Sequence, residues 1–357
     1  MAHLPVLIDS ANGTRASRGQ RDAVTKEIIR RLDVSGSTLA DAIQRRSLYF
    51  RISVIGTCNL SCKFCHNEGA PAKGRLTIDS ATRAIESALR VGFRRVQFTG
   101  GEPLLHKEIG GFVGAARRLL DDVGVTTNGT FLQAKLPELL AGGIHRIHVS
   151  LQTESLIEAG TGGAWGIPDF LAPTLQHARE GAFKLRLNLP VPADSLPASE
   201  AFLEALIPYG CDIQAFSILP EGETAADPFP IEELEAVVAR SNGRRRERGS
   251  QARVLLRGFR PPTGIRCPTC LDHARCKEQS HSLRLGTDNI LKPCLATRFW
   301  DTELDHDDLD GSIRELALLA LDYEWPELAA GAAPNGGPGA SPAGADRGNL
   351  PSCSTSN

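Results

Sequence analysis

Residues Tyr49–Cys65 read YFRISVIGTCNLSCKFC. The first seven, Tyr49–Ile55, are rich in β-branched and aromatic side chains and contain no Gly or Pro, which predicts a strand. A loop follows at once, carrying Cys58, Cys62 and Cys65 in a Cys-x3-Cys-x2-Cys run. Further β-rich runs follow along the chain at Arg95–Thr99, Val123–Thr127, Ile144–Leu151, Lys184–Leu189 and Asp212–Leu219. Between them lie helical patterns at Ile78–Val91, Ile109–Leu120, Leu132–Ala141, Phe170–Glu180 and Ser199–Ile207. In the first of these helices Ile78, Ala81, Ile85, Ala88 and Leu89 share a face. Strand–helix alternation at this spacing predicts a parallel sheet with helical crossovers. Six units are too few for an eight-stranded barrel. The expected fold class is therefore α/β, a partial (β/α)6 barrel with a small C-terminal extension.

The chain has 357 residues, 41% hydrophobic, 23% charged and 5% aromatic, which excludes a wholly disordered, collagen-like or coiled-coil chain. A net charge of −2 gives no basic footprint for nucleic acid. The N-terminal residues lack the pattern of a secretory signal, and no apolar stretch approaches the ~18 residues of a membrane span. The expectation is a cytoplasmic chain with reduced thiols, in which clustered cysteines mean metal or catalysis. Nine cysteines divide into 58–65, 267–294 and the lone Cys211 and Cys353. Four parts follow: a lead-in over 1–46 with a helical stretch near Asp22–Leu32, a core over 47–222, a connector and cysteine-bearing domain over 223–325, and a tail over 326–357. From Ala330 onward the tail is rich in Gly, Ala, Pro and Ser and is expected to be disordered. The connector carries a charged helix over 222–250 ending in Arg244-Arg245-Arg246-Glu247-Arg248, read as a solvated helix end, with an anion contact as the alternative. A β-like run, Arg253–Leu256, and a helix, Ser312–Tyr323, complete it.

Three thiolates on one short loop can wrap a single ion or cluster. Tetrahedral zinc wants four ligands, whereas a four-iron cluster held by three cysteines keeps one iron open. Zinc and unliganded thiols stand as alternatives. The run, with its aromatic Phe64, resembles the signature of radical S-adenosylmethionine (SAM) enzymes. That resemblance implies a [4Fe-4S] cluster on Cys58, Cys62 and Cys65 whose open iron binds the amino and carboxylate groups of SAM. One electron then cleaves the cofactor to a 5′-deoxyadenosyl radical. Thr99-Gly100-Gly101-Glu102-Pro103 is similar to the family's GGEP motif, with Glu102 suited to an ammonium group. Thr126, Ser150, Asn188 and Leu219 fall at successive strand ends, where such folds gather their sites, and the resemblance makes them further SAM contacts. It covers roughly residues 47–222 and implies a flavodoxin- or ferredoxin-type electron donor.

The second cluster is spaced Cys267-x2-Cys270-x5-Cys276-x17-Cys294. Alone it could be a zinc ribbon. Behind a radical SAM core it resembles the twitch and SPASM extensions, which implies a second, auxiliary [4Fe-4S] cluster. The segment Arg284–Leu295, with Asp288-Asn289 as a hairpin turn, is similar to that of the GTP 3′,8-cyclase branch. That branch has three auxiliary cysteines, whereas four here suggest a closed cluster for structure or electron transfer. By motif alignment Arg51, Thr126 and Arg284 fall where the cyclase branch contacts its substrate, and Arg186 replaces a Lys; for Arg51 and Arg186 a structural ion pair is the alternative to holding a small anionic substrate. Gln97 and Gln214 fall where that branch carries triphosphate-side arginines, and Gln cannot replace bidentate recognition, so GTP is expected to bind weakly or not at all. The leading expectation is an enzyme acting on a nucleotide, nucleoside or sugar-like small molecule. A SPASM-like maturase of a ribosomal peptide and a non-catalytic zinc-binding protein are the alternatives. No side chain stands out as acid or base; Cys211 reads as buried packing and Cys353 as inert.

Overall fold

The protein is described from a computed structural model covering residues 17–35, 38–62, 74–152, 166–191, 196–217, 231–257, 282–293 and 300–321. Six parallel strands fall on the six predicted segments: β1 (Tyr49–Ile55), β2 (Arg95–Gly100), β3 (Asp122–Thr127), β4 (Arg146–Ser150), β5 (Lys184–Val191) and β6 (Asp212–Ser217). The β-like run beyond the connector becomes β7 (Val254–Arg257), parallel to β6. On the opposite edge β8 (Ser282–Leu285) lies parallel to β1, and β9 (Ile290–Lys292) and β10 (Thr302–Glu303) add antiparallel strands. The order is β10-β9-β8-β1-β2-β3-β4-β5-β6-β7, an open sheet whose end strands are β10 and β7. The hairpin turn expected at Asp288-Asn289 joins β8 to β9, with Asn289 at φ 59°, a conformation Asn tolerates.

Helices cover one face. Thr77 starts α3 (Ile78–Val91) by accepting the Ser80 N–H at 3.1 Å. Its buried residues are Ala81, Ala84, Ile85, Ser87 and Ala88, so the stripe lies slightly round from the predicted one, and Ile78 and Leu89 sit at its margins. The crossovers continue with α4 (Ile109–Arg117), α5 (Leu132–Ala141), α6 (Leu171–Arg179) and α7 (Leu196–Ala205). Phe50, Ile52, Val96, Phe98, Val123 and Val125 are buried on this face, and Phe98 meets Phe112 of α4 edge-on at 5.8 Å.

The lead-in residues form α1 (Arg18–Ser35) and α2 (Leu39–Arg45), and the chain's last described helix is labelled α9 (Leu309–Leu321), since α8 (Ile231–Glu247) precedes it. Arg21 of α1 pairs with Glu315 of α9 at 2.9 Å. Asp310 of α9 accepts from Ser87 and from both ends of the Arg90 guanidinium on α3. The arginine run ending α8 is only in part a solvated end: Arg244 bridges Glu200 and Glu204 of α7 at 2.7 Å each. Arg245 is buried and donates to the carbonyls of Leu203 and Cys211, while Arg246 and Arg248 are exposed. The long side chain reaches under the α7 terminus, where unsatisfied carbonyls attract a guanidinium.

The other face is polar, because parallel strands alternate sides and this side carries no helix layer. Near its amino end Asp122 receives Arg95 at 2.6 Å and Arg146 and His145 at 3.0 Å. Burial opposes ionisation of Asp122, but Arg146 and Arg95 more than offset it and hold its carboxyl below the usual range. Burial pulls Arg146 down to about 10, with Asp122 working against that pull. A carboxyl with a depressed folded value stabilises the fold above its unfolded value, near pH 4, and loses that contribution as pH falls through the folded value. Asp122→Asn is expected to cost about 1.5–3 kcal/mol at pH 7, the range for hydrogen bonds to charged groups. Urea unfolding should show the gap to wild type narrowing as the pH is lowered from 7 to 3; a constant gap would contradict the pairing.

Candidate functional site

The carboxyl ends of β1, β2 and β3 are laced together by backbone and by one carboxylate. Gly101 donates its N–H to Ile55 O at 2.7 Å, and Glu102 donates its own to Thr57 O at 2.9 Å. A Cβ on Gly100 would strike the Ile55 carbonyl, and one on Gly101 would strike the Thr57 carbonyl. The glycine pair belongs to the GGEP-like motif. The close approach it makes is to the backbone that leads directly into Cys58.

Glu102 is 1% exposed. Its Oε1 accepts from the Leu104 N–H at 3.0 Å and the Thr127 hydroxyl at 2.7 Å, and its Oε2 from the Asn128 N–H at 2.7 Å. Burial lifts its carboxyl above the usual range against the opposing pull of those three donors. The carboxylate expected to face an ammonium group thus already serves three protein donors. Pro103 follows, buried, at the start of a 3-10 turn, Pro103–Leu105, that Glu102 caps.

Asn128 carries the connection onward to the cysteine loop. Its Nδ2 donates to Asn59 Oδ1 at 2.9 Å and reaches Cys58 Sγ at 3.9 Å, while its Oδ1 accepts from the Thr130 N–H. The Leu60 N–H also points at Cys58 Sγ, at 3.4 Å. Cys58 is exposed and Cys62 is half-buried at this edge. These residues fit an iron–sulfur cluster: the thiols are soft ligands, and N–H groups aimed at the sulfur suit a ligating thiolate. Phe64 and Cys65 lie outside the described residues, as do Leu219, Cys267, Cys270, Cys276 and Cys294. Among the described residues no three His, Cys, Asp or Glu side chains stand close enough to hold a metal.

The remaining expected residues meet on the polar face. Ser150 accepts from the Asn188 amide at 3.3 Å across β4 and β5. Thr126 accepts from Gln97 Nε2 at 3.0 Å, and Gln97 Oε1 accepts from Arg146 at 3.1 Å, so this glutamine is spent inside the sheet. Gly124 makes the crossing possible, because a Cβ there would overlap Gln97 Oε1. Arg51 donates to Thr99 at 3.3 Å and is in register with Arg284 of β8. Arg186 of β5 is in register with His148 of β4, and His148 with Thr126 of β3. Arg51, Thr126, Arg186 and Arg284 therefore occupy adjoining rungs of one face, with Ser150 and Asn188 nearer its carboxyl edge. Cys211 is buried at the start of β6, where burial pushes its thiol up to about 11.

Sequence reasoning passed over Asn128 and His148. Asn128 was legible as the Asx residue of Thr-Thr-Asn-Gly, a turn former at a strand end. His148 was legible as the middle member of Arg146, His148 and Ser150, alternate polar positions in a strand whose other residues are buried.

An open sheet of parallel strands carries a glycine–glutamate turn and a cysteine loop at its carboxyl edge, and residues 52–155 match the Radical SAM superfamily. The relatives this chain is similar to come from one branch. The chain is 30% identical over 207 residues to the GTP 3′,8-cyclase of Caulobacter vibrioides, covering 54% of this chain and 58% of the relative. It is 26% identical over 265 residues to a probable GTP 3′,8-cyclase of Methanococcus maripaludis, covering 72% and 88%. The chain thus spans less than two thirds of the Caulobacter relative's own length. Among solved structures, Streptococcus suis SuiB bound to S-adenosylmethionine shares the fold, with a TM-score of 0.55 at 16% identity over 76% of this chain and 70% of that one. Among the described residues no helix is long and apolar enough to cross a membrane.

Glu102→Gln replaces one accepting oxygen with an amide NH2 that faces N–H and O–H donors. It is expected to cost about 1–3 kcal/mol, the penalty of unsatisfied buried groups. Thermal unfolding of the metal-free chain measures the loss, and iron uptake on anaerobic reconstitution should fall with it. Unchanged stability and iron content would show that the carboxylate does not tie the cysteine loop.

Proposed function

We propose that this protein is an enzyme that cleaves SAM reductively and abstracts hydrogen from an anionic small molecule, a nucleotide, nucleoside or sugar derivative, in a biosynthetic pathway. The observation carrying this reading is the set of Arg51, Arg186 and Arg284 on one polar sheet face, beneath the Ser150–Asn188 pair and beside the edge that bears Cys58. When bound, a four-iron cluster on Cys58, Cys62 and Cys65 with SAM supplies the one-electron cleavage that yields a 5′-deoxyadenosyl radical. The protein's part is positioning. Glu102 and Asn128 fix the cysteine loop, Gly100 and Gly101 hold it against β2, and Thr126, Ser150 and Asn188 line the side of the cofactor. Arg51, Arg186 and Arg284 grip the substrate anion by charge-assisted hydrogen bonds.

GTP is not the favoured substrate. Gln97, whose amide is committed to Thr126 and Arg146, is not itself a forked cation. The reading divides the chain into a SAM-binding core over 47–222 and a connector and auxiliary-cluster domain over 223–325, with Cys267, Cys270, Cys276 and Cys294 holding a second [4Fe-4S] cluster. It also assigns the enzyme to the reducing cytoplasm, fed by a flavodoxin- or ferredoxin-type donor. The Cys-x2-Cys-x5-Cys spacing favours a peptide maturase as the second reading.

Anaerobically reconstituted protein should hold about eight irons per chain, two four-iron clusters, and release 5′-deoxyadenosine from SAM on reduction. Stoichiometric zinc without that release would sink the enzymatic reading. Cys62→Ala is expected to abolish 5′-deoxyadenosine formation, whereas Cys294→Ala should retain part of it. Complete loss in a folded Cys294→Ala protein would contradict separate roles for the two clusters.

A further inference from the structure

His148 is a residue that neither the motifs nor the proposed contacts use, yet it stands at the middle of the polar face. Sheet register sets it between Thr126 on β3 and Arg186 on β5. It shares that face with Arg146 two residues before it and Ser150 two residues after it. Among the described residues, neither ring nitrogen takes a hydrogen bond. The ring is half-buried; its desolvation disfavours the charged form, and Arg186, Arg146, Arg51 and Arg95 add to that effect, so its value lies well below that of an ordinary histidine.

The nearby acids do not reverse this. Asp122 is engaged by Arg95, Arg146 and His145, and Asp212, in register beside Arg186, accepts the Arg253 N–H. Arg284, on the rung of Arg51, adds a further cation, and Asp288 lies 3.4 Å from the Lys292 ammonium. A proton on this ring would add one more positive charge to a group of guanidiniums. A bound dianion offsets part of that positive field and supplies an acceptor for a ring N–H.

We propose that the His148 ring is a proton-holding group of the substrate site, protonated when an oxyanion binds to Arg51 and Arg186 and hydrogen-bonded to that anion. The inference rests on the reading of this face as an anion site and deepens it by giving one residue a role: substrate binding is coupled to uptake of a proton. The balance is simple, since the proton comes from solvent and no bond other than N–H forms. The class of ligand is a phosphate or sulfate ester.

The test uses the reconstituted full-length chain with [15N]imidazole-labelled histidine and sulfate as the probe. Sulfate does not titrate near neutrality, so any proton taken up belongs to the protein. His148→Gln identifies the ring signals. Without sulfate the ring is expected to read as neutral imidazole at pH about 6, below the ordinary midpoint near 6.5. Saturating sulfate should convert it to imidazolium, moving the midpoint upward by about one pH unit or more, the usual size of a neighbouring-charge effect.

Arg186→Gln should act in two opposite directions. It makes the ring easier to protonate without sulfate and weakens the sulfate response. Arg51→Gln serves as the second variant if Arg186→Gln fails to fold. A ring already charged at pH 6 without the anion, or ring signals unmoved by sulfate, would overturn the proposal. The readout requires no SAM cleavage. Absence of 5′-deoxyadenosine would defeat the enzymatic reading alone, while unmoved ring signals with cleavage intact would defeat this one alone.

Discussion

The buried carboxylate of Glu102 is the tie on which the carboxyl edge of the sheet depends. Its oxygens hold the backbone of the 3-10 turn after β2 and the hydroxyl and backbone of the loop after β3. Through Asn128 the same tie reaches Asn59 and the Cys58 sulfur. A carboxylate taken out of water is costly unless its oxygens are satisfied, so three well-placed donors turn an expensive group into a fixed junction. Three loops that would otherwise vary independently therefore share one geometry.

Below that edge the sheet is asymmetric. One side is apolar and closed by helices, the other is lined by hydrogen-bonded polar groups. At its amino end charge is matched, with Asp122 holding Arg95 and Arg146. Arg51 and Arg284 lie on the rung that carries Arg146, and Arg186 stands one rung nearer the carboxyl end. The ion pairs of Asp122 and these further arginines thus share one face of the sheet.

The strands were legible because each is a short β-branched run followed by a turn signal, and all six predicted segments form strands. Three features were less legible, each for a physical reason. The pairing of β8 with β1 joins residues more than two hundred positions apart, which no local pattern records. The arginine run ending α8 looked like a solvated end, since sequence does not show that Arg245 finds carbonyl acceptors beneath α7. In the candidate site, motifs identified the glycine pair and Glu102, but no local pattern records that they touch the backbone of the neighbouring loops. A glycine forced by close backbone approach reads the same whether the neighbour is a ligand or another strand.

The position of β8 has a consequence for how the chain is assembled. The strand that heads the sheet, β1, waits for a partner synthesised near the other end of the polypeptide. Until residues 282–293 emerge, β1 exposes a full edge of unpaired N–H and C=O groups, a template for pairing with another chain. A polypeptide stopped after β7 would keep every motif of the cysteine loop and yet present that bare edge to its neighbours. The natural counterpart of the first strand is thus made only after all seven earlier strands, and its pairing is also what brings Arg284 beside Arg51.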